Sequence, residues 1–233
     1  SFKWNTQGLS PGNYSVKVLA WPVSGETGTS DNEKGPIIVT LGKAASSITV
    51  SVPPTSVAVG SPVLIQGSIS PARGGVVVTI QQRQQGGSWV ILANATTGAT
   101  GTYEYTWLPT SVGTYEVKAV WPGDASTLPD ESDAVSLTVG KAVSAVSVSV
   151  SAATVQIGGN MTIRGSISPA REGISMMVEY RLQGATWSIL TTGMTNATGA
   201  FTYTWSPDGL GTYEVRVSWA GDASTEPGES SVE

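Results

Sequence analysis

The segment Gly67-Ser68-Ile69-Ser70-Pro71-Ala72-Arg73 returns, residue for residue, as Gly165-Ser166-Ile167-Ser168-Pro169-Ala170-Arg171. Later landmarks return at the same offset of 98 positions. Trp89, Trp107 and Trp121 match Trp187, Trp205 and Trp219. Gly113-Thr114-Tyr115-Glu116-Val117 matches Gly211-Thr212-Tyr213-Glu214-Val215, and Gly123-Asp124-Ala125-Ser126-Thr127 matches Gly221-Asp222-Ala223-Ser224-Thr225. A unit this long can bury its own core and is too long for one turn of a solenoid. The 233 residues therefore divide into a remnant, 1–42, and two like domains, 43–140 and 141–233. The second copy stops before the counterpart of Ser136-Leu137-Thr138-Val139, so it is expected to lack its last strand. The whole reads as a segment of a longer polypeptide or as a processed subunit.

Inside the unit, apolar residues recur with a period of two. Ile48, Val50 and Val52 alternate with Ser47, Thr49 and Ser51; Val76, Val78 and Ile80 alternate in the same way. Tyr103, Tyr105 and Trp107 face one side of 102–107, and Tyr115, Val117, Ala119 and Trp121 one side of 114–121. This is the pattern of half-buried strands. The expected strands are 46–52, 63–69, 76–83, 89–92, 102–107, 114–121 and 134–139, separated by turn signals every 8–12 residues. The second copy keeps the inward set apolar, with Phe201, Tyr203 and Trp205 for Tyr103, Tyr105 and Trp107, while Glu104 becomes Thr202 on the other face. Three more strands, 2–4, 14–21 and 37–41, are expected in the remnant.

Composition removes many kinds of chemistry. With no Cys and no His, thiol chemistry, disulfides, His-based nucleophile systems and His or Cys metal sites are excluded. A net charge of −5 leaves no basic patch for nucleic acid. No run of 18 apolar residues exists, so no membrane span is expected.

The Gly-Ser-Ile-Ser-Pro-Ala-Arg element, Tyr103-Glu104-Tyr105-Thr106-Trp107, and Gly113-Thr114-Tyr115-Glu116-Val117 through Trp121-Pro122-Gly123-Asp124-Ala125 resemble bacterial and archaeal immunoglobulin-like repeat domains. The resemblance covers 43–233. It implies an all-β fold of tandem immunoglobulin-like antiparallel β-sandwiches in an end-to-end array, of the branch without the cysteine pair. Tyr115 and Tyr213 match the tyrosine-corner position. In the remnant, Pro11-Gly12-Asn13-Tyr14-Ser15-Val16 and Gly25-Glu26-Thr27 resemble the closing half of the cell-adhesion-related domain of bacteria and archaea.

Four sequons, at Asn13, Asn94, Asn160 and Asn196, are candidate N-glycosylation sites, with Asn94 and Asn196 beside expected loops. Acidic residues gather near Asp124, Asp130, Glu131 and Asp133, and near Asp222, Glu226 and Glu229; their spacing fits no EF-hand, and Asp124 and Asp222 read as turn residues. The tryptophans and tyrosines read as core before they read as a sugar platform, with Trp21 and Trp89 unassigned to a face. Lys118 corresponds to Arg216, which argues against a Lys-based isopeptide crosslink, and Glu104 has no acidic counterpart for glycoside chemistry. No catalytic residue, cofactor or metal is expected. The expected role is a structural spacer in an extracellular, cell-surface or filament protein, with neighbouring copies as partners, strand addition included. An adhesin that binds glycan or protein, and accessory modules of a secreted hydrolase, are the alternatives.

Overall fold

The computed structural model describes residues 3–233, and all their regular structure is β-strand. A hairpin comes first, β1 (Gly12–Leu19) and β2 (Glu33–Leu41), paired antiparallel from Gly12↔Leu41 to Leu19↔Glu33. The expected strand at 2–4 is not formed among the described residues. Phe2 lies outside them, and Lys3 and Trp4 are irregular, with Trp4 packed edge-on against Tyr14 at 5.5 Å between ring centroids. An aromatic contact, not a ladder, fixes that stretch.

The first repeat contains β3 (Ser47–Ser51), β4 (Ser56–Ala58), β5 (Val63–Ser70), β6 (Val77–Gln84), β7 (Val90–Thr96), β8 (Thr102–Trp107), β9 (Gly113–Trp121), β10 (Asp130–Glu131) and β11 (Val135–Gly140). One sheet runs β3-β5-β8; the other runs β4-β11-β9-β6-β7, with β10 paired to β9. The sequence pattern missed β4 and β10, which are too short for an alternation to register. β4 pairs parallel with β11, Ser56 opposite Thr138 and Ala58 opposite Gly140. Pro53 and Pro54 separate β3 from β4, since neither can donate to a ladder, and this lets the first strand pass from one sheet to the other.

The core follows the alternation. Val63, Ile65, Val78, Ile80, Val117, Ala119, Leu137 and Val139 are closed to solvent, and Ile48, Ile69, Tyr103, Tyr115 and Trp121 are nearly so. Each buried Val or Ile contributes about 1.5–3 kcal/mol relative to exposure. Polar side chains alternate outward, as with Thr49, Ser68 and Thr102 in adjacent register.

The second repeat has β12 (Ala145–Val150), β13 (Met161–Ser168), β14 (Ser175–Leu182), β15 (Ser188–Met194), β16 (Ala200–Trp205), β17 (Tyr213–Trp219) and β18 (Gly228–Glu229). Its sheets are β12-β13-β16 and β15-β14-β17-β18. The registers copy those of the first repeat: Gly165 pairs with Phe201 where Gly67 pairs with Tyr103, and Val178 with Val217 where Ile80 pairs with Ala119. Ile163, Ile167, Met176, Val178, Phe201, Trp205, Val215, Val217 and Trp219 form its core. Both β7 and β15 carry a bulge at the same place, opposite Ile80/Gln81 and Val178/Glu179. A bulge on an edge strand blunts it as a template for further pairing.

Candidate functional site

Three side-chain clusters recur in both repeats; the topology assembles the first two from segments distant in sequence, and the third is local. The first lies on the outer face of the second sheet. The ladder sets Arg83 opposite Glu116 and Gln81 opposite Lys118, so Arg83 and Lys118 share a face. Trp89, entering β7, lays its ring against both: the Arg83 guanidinium is 4.5 Å and the Lys118 ammonium 4.6 Å from the ring centroid. Arg83 donates to Glu116 at 2.5 Å, and Lys118 pairs with Glu131 at 2.7 Å. In the second repeat Trp187 takes Arg181 at 4.4 Å and Arg216 at 4.5 Å. Arg181 donates to Glu214, and Arg216 to Glu179 at 2.8 Å and Glu229 at 3.1 Å. The hydrogen bond to Glu179 pushes the Arg216 guanidinium above its ordinary pKa, so it stays charged. Both tryptophans are half-buried by this arrangement.

The second cluster joins the Pro-Ala-Arg loop to the Gly-Asp-Ala-Ser-Thr loop. One oxygen of Asp124 accepts from the Ser126 and Thr127 amides, each at 2.8 Å, and from Ser126 Oγ at 3.0 Å; the other accepts from Arg73 at 2.7 Å. Asp222 repeats this with the Ser224 and Thr225 amides and with Arg171 at 2.6 Å. The bond from the Ser126 amide first, then the Ser126 hydroxyl and Arg73, hold the Asp124 carboxyl below the usual carboxylate range. For Asp222 the Ser224 amide is the largest cause, and the depression is deep. Arg73 also sits 5.8 Å from the Trp121 ring centroid, and Arg171 5.4 Å from that of Trp219. Thr97 and Thr195, both buried, donate to the Arg73 and Arg171 carbonyls at 2.6 Å. These carboxylates are filled by the protein's own donors, which is the turn role read from their sequence.

The third cluster is the tyrosine corner. Tyr213 donates its hydroxyl to the Gly209 carbonyl at 3.3 Å and packs edge-on against Trp205 at 5.1 Å. Trp107 and Tyr115 pack likewise at 5.2 Å. In the hairpin, Tyr14 donates to the Ser10 carbonyl at 2.5 Å and meets Trp4, so the same corner recurs there.

Trp107, Trp121, Trp205 and Trp219 are buried, as their alternation implies. Trp89 and Trp187 are clamped by cations, and Trp21 is 93% exposed beyond the end of β1. Lys118 is engaged by Glu131 and the Trp89 ring, not by an amide side chain. Among the described residues no three acidic side chains converge as metal ligands, and no helix is long and apolar enough to cross a membrane. Asn94 lies in β7 and accepts from Thr79 Oγ1 at 3.1 Å; Asn13 lies in β1 and accepts from Thr40 Oγ1 at 2.8 Å. Asn160 precedes β13, and Asn196 occupies the turn between β15 and β16. The cation–tryptophan clamps were not read from the sequence. Their signal was present, because Arg83, Trp89 and Glu116 all recur as Arg181, Trp187 and Glu214, and Lys118 returns as another cation.

No curated protein sequence matches the chain. Among solved structures it is similar to a tetra-tandem repeat in the extending region of a large adhesion protein, at 17% identity and TM-score 0.41, over 97% of this chain and 57% of that one. It is similar to the Yersinia pseudotuberculosis adhesin InvE at 19% identity and TM-score 0.36, over 79% of this chain and 57% of that one. Red sea bream transglutaminase is similar at 14% identity and TM-score 0.35, over 79% of this chain and 30% of that one. The chain thus spans less than two thirds of each of these, and none of the likenesses bears on what it does. The family model for the bacterial Ig-like domain (group 3) matches residues 49–140, from within β3 to the end of β11. Over those residues the first repeat is similar to the bacterial Ig-like domain family, group 3.

Proposed function

We propose that the chain is a non-catalytic spacer of an extracellular, cell-surface protein, that residues 43–140 and 141–233 are successive Ig-like domains, and that its partners are neighbouring domains of the same protein. The observation that carries this reading is the parallel pairing of β4 with β11. The chain enters the first repeat through β3 and β4 and leaves it through β11. Tension on the chain pulls β4 and β11 in opposite directions along their common axis. The ladder, together with the Val59 amide donating to the Gly140 carbonyl at 2.9 Å, is then sheared as a set instead of opened bond by bond. The cations on Trp89 and Trp187 agree with this reading, because they cover aromatic surface that a sugar would otherwise stack on.

Single-molecule pulling from the two chain ends tests the proposal. The first repeat is expected to unfold in one event, at a force that falls markedly in Val59→Pro, which removes the donor to Gly140. Equal forces in parent and variant would overturn it. The adhesin reading has one observation in its favour, the exposure of Trp21 beside Val18, Leu19 and Val23 in the hairpin. Specific retention on a glycan or protein array, abolished in Trp21→Ala, would establish that reading in place of the spacer.

A further inference from the structure

We infer that Asn196, alone among the four sequons, is an N-glycan acceptor in the folded chain. An oligosaccharyl transferase must seat the three acceptor residues in its own cleft, so a sequon on a folded protein has to be exposed along its length and free of the ladder. Asn196, Ala197 and Thr198 meet that demand. All three are exposed and lie between β15 and β16, outside any strand. The turn is closed by the Gly199 amide on the Asn196 carbonyl and by the Asn196 amide on the Ala200 carbonyl, each at 2.8 Å. Within it the Asn196 side-chain carbonyl accepts from the Thr198 hydroxyl at 2.7 Å, the Thr198 amide at 2.9 Å and the Ala200 amide at 3.2 Å. The fold therefore holds the oxygen end of this carboxamide and brings the hydroxyl of the sequon's third residue against it.

The other three sequons are tied into strand pairing, two in the repeats and one in the β1–β2 hairpin. Asn94, Ala95 and Thr96 pair with Thr79, Val78 and Val77 across β6–β7, and Ala95 is buried. Asn13, Tyr14 and Ser15 pair with Thr40, Val39 and Ile38. Asn160 is followed by Met161, a core residue opposite Trp205, and by Thr162, whose carbonyl accepts from the Ser151 amide at 2.9 Å. Presenting any of these would break strand pairing.

The co-reactant is a lipid-linked oligosaccharyl pyrophosphate. The Asn196 carboxamide nitrogen bonds to the anomeric carbon as the bond from that carbon to the pyrophosphate oxygen breaks. The amide gives up one proton, and the lipid pyrophosphate leaves. The first repeat offers an internal control, because Gly98-Ala99-Thr100-Gly101 forms the same turn, with the Gly98 amide on the Thr102 carbonyl and the Gly101 amide on the Gly98 carbonyl. A Cβ at Gly98 would meet nothing nearer than 3.8 Å.

The test is glycosylation of the purified folded chain in vitro by an oligosaccharyl transferase with its lipid-linked donor, read by intact mass and peptide mapping. A denatured sample and a short Asn-Ala-Thr acceptor peptide run alongside. One glycan on the folded chain, at Asn196, is expected. None is expected on Asn196→Gln and two on Gly98→Asn, while the denatured chain takes sugar at further sequons. Modification of folded chain at Asn13, Asn94 or Asn160 overturns the inference. So does an unmodified Asn196 under conditions that glycosylate the peptide.

Discussion

The ring of Tyr103 occupies the space that a side chain at Gly67 would need: a Cβ built there would stand 2.4 Å from the Tyr103 hydroxyl oxygen and 2.0 Å from the Thr49 carbonyl. The two residues are register partners on β8 and β5, and the tyrosine crosses the glycine to donate to Thr49 at 2.5 Å. In the second repeat Phe201 lies over Gly165 in the same way, its ring 2.1 Å from the Cβ position. The Gly of the repeated Gly-Ser-Ile-Ser element is thus a packing requirement. Its backbone torsion is ordinary; what it lacks is a side chain.

Gly67→Ala and Gly165→Ala are each expected to destabilise their repeat by about 1–3 kcal/mol, the cost of forcing an extra carbon into a filled core. Denaturant titration measures this. Shrinking the ring, as in Gly67→Ala with Tyr103→Leu, should cost less than the sum of the single changes, because the two positions compete for one space.

Burial holds the Tyr103 hydroxyl well above the ordinary tyrosine pKa. A group whose folded pKa is raised stabilises fully below its unfolded value, about 10, and that stability is lost as pH rises beyond it. Stability of the first repeat should therefore fall on the alkaline side, and Tyr103→Phe should flatten that fall. At neutral pH the same change costs about 1 kcal/mol for the missing bond to Thr49. Melting curves between pH 8 and about 11 decide it.

Asp124 and Asp222 have the opposite sign. Their carboxyls are depressed, so their contribution is present above the unfolded value, about 3.9, and is lost as pH falls from there toward the folded pKa. Asp222→Asn is expected to lower stability at neutral pH and to weaken its dependence on acid, because the neutral amide no longer forms an ion pair with Arg171. An acid titration of parent and variant that stays parallel below pH 4 would refute this.

Trp187→Ala removes the surface on which Arg181 and Arg216 rest. At about 0.5–1 kcal/mol for each partly exposed cation–ring pair, the change should cost about 1–2 kcal/mol. Arg216→Gln should lose one of the two cation–ring pairs and, in addition, the bonds to Glu179 and Glu229, so its cost is expected to exceed that of a single cation–ring pair. Chemical denaturation read by circular dichroism avoids dependence on the missing fluorophore.

The alternation in 102–107 and 114–121 made β8 and β9 legible to within a residue, because a sheet with one wet face imposes a period of two. The repeat supplied a second reading of each strand. It also marked Arg83, Trp89 and Glu116 as a set, although nothing in their spacing says that one face gathers them. The bridge from β4 to β11 could not be read: three residues, Ser56 to Ala58, carry no period, and their partner lies about eighty positions on.

Composition and the 98-residue period settled an all-β, cysteine-free chain without thiol or imidazole chemistry, since residue types and alternation are local properties. Which tryptophans close the core, which are held by cations, which carboxylates are already filled and which sequon lies wholly outside the strands were decided by tertiary structure alone. Burial and hydrogen bonding depend on what the sheets bring alongside, and β6 meets β9 across a long stretch of intervening chain.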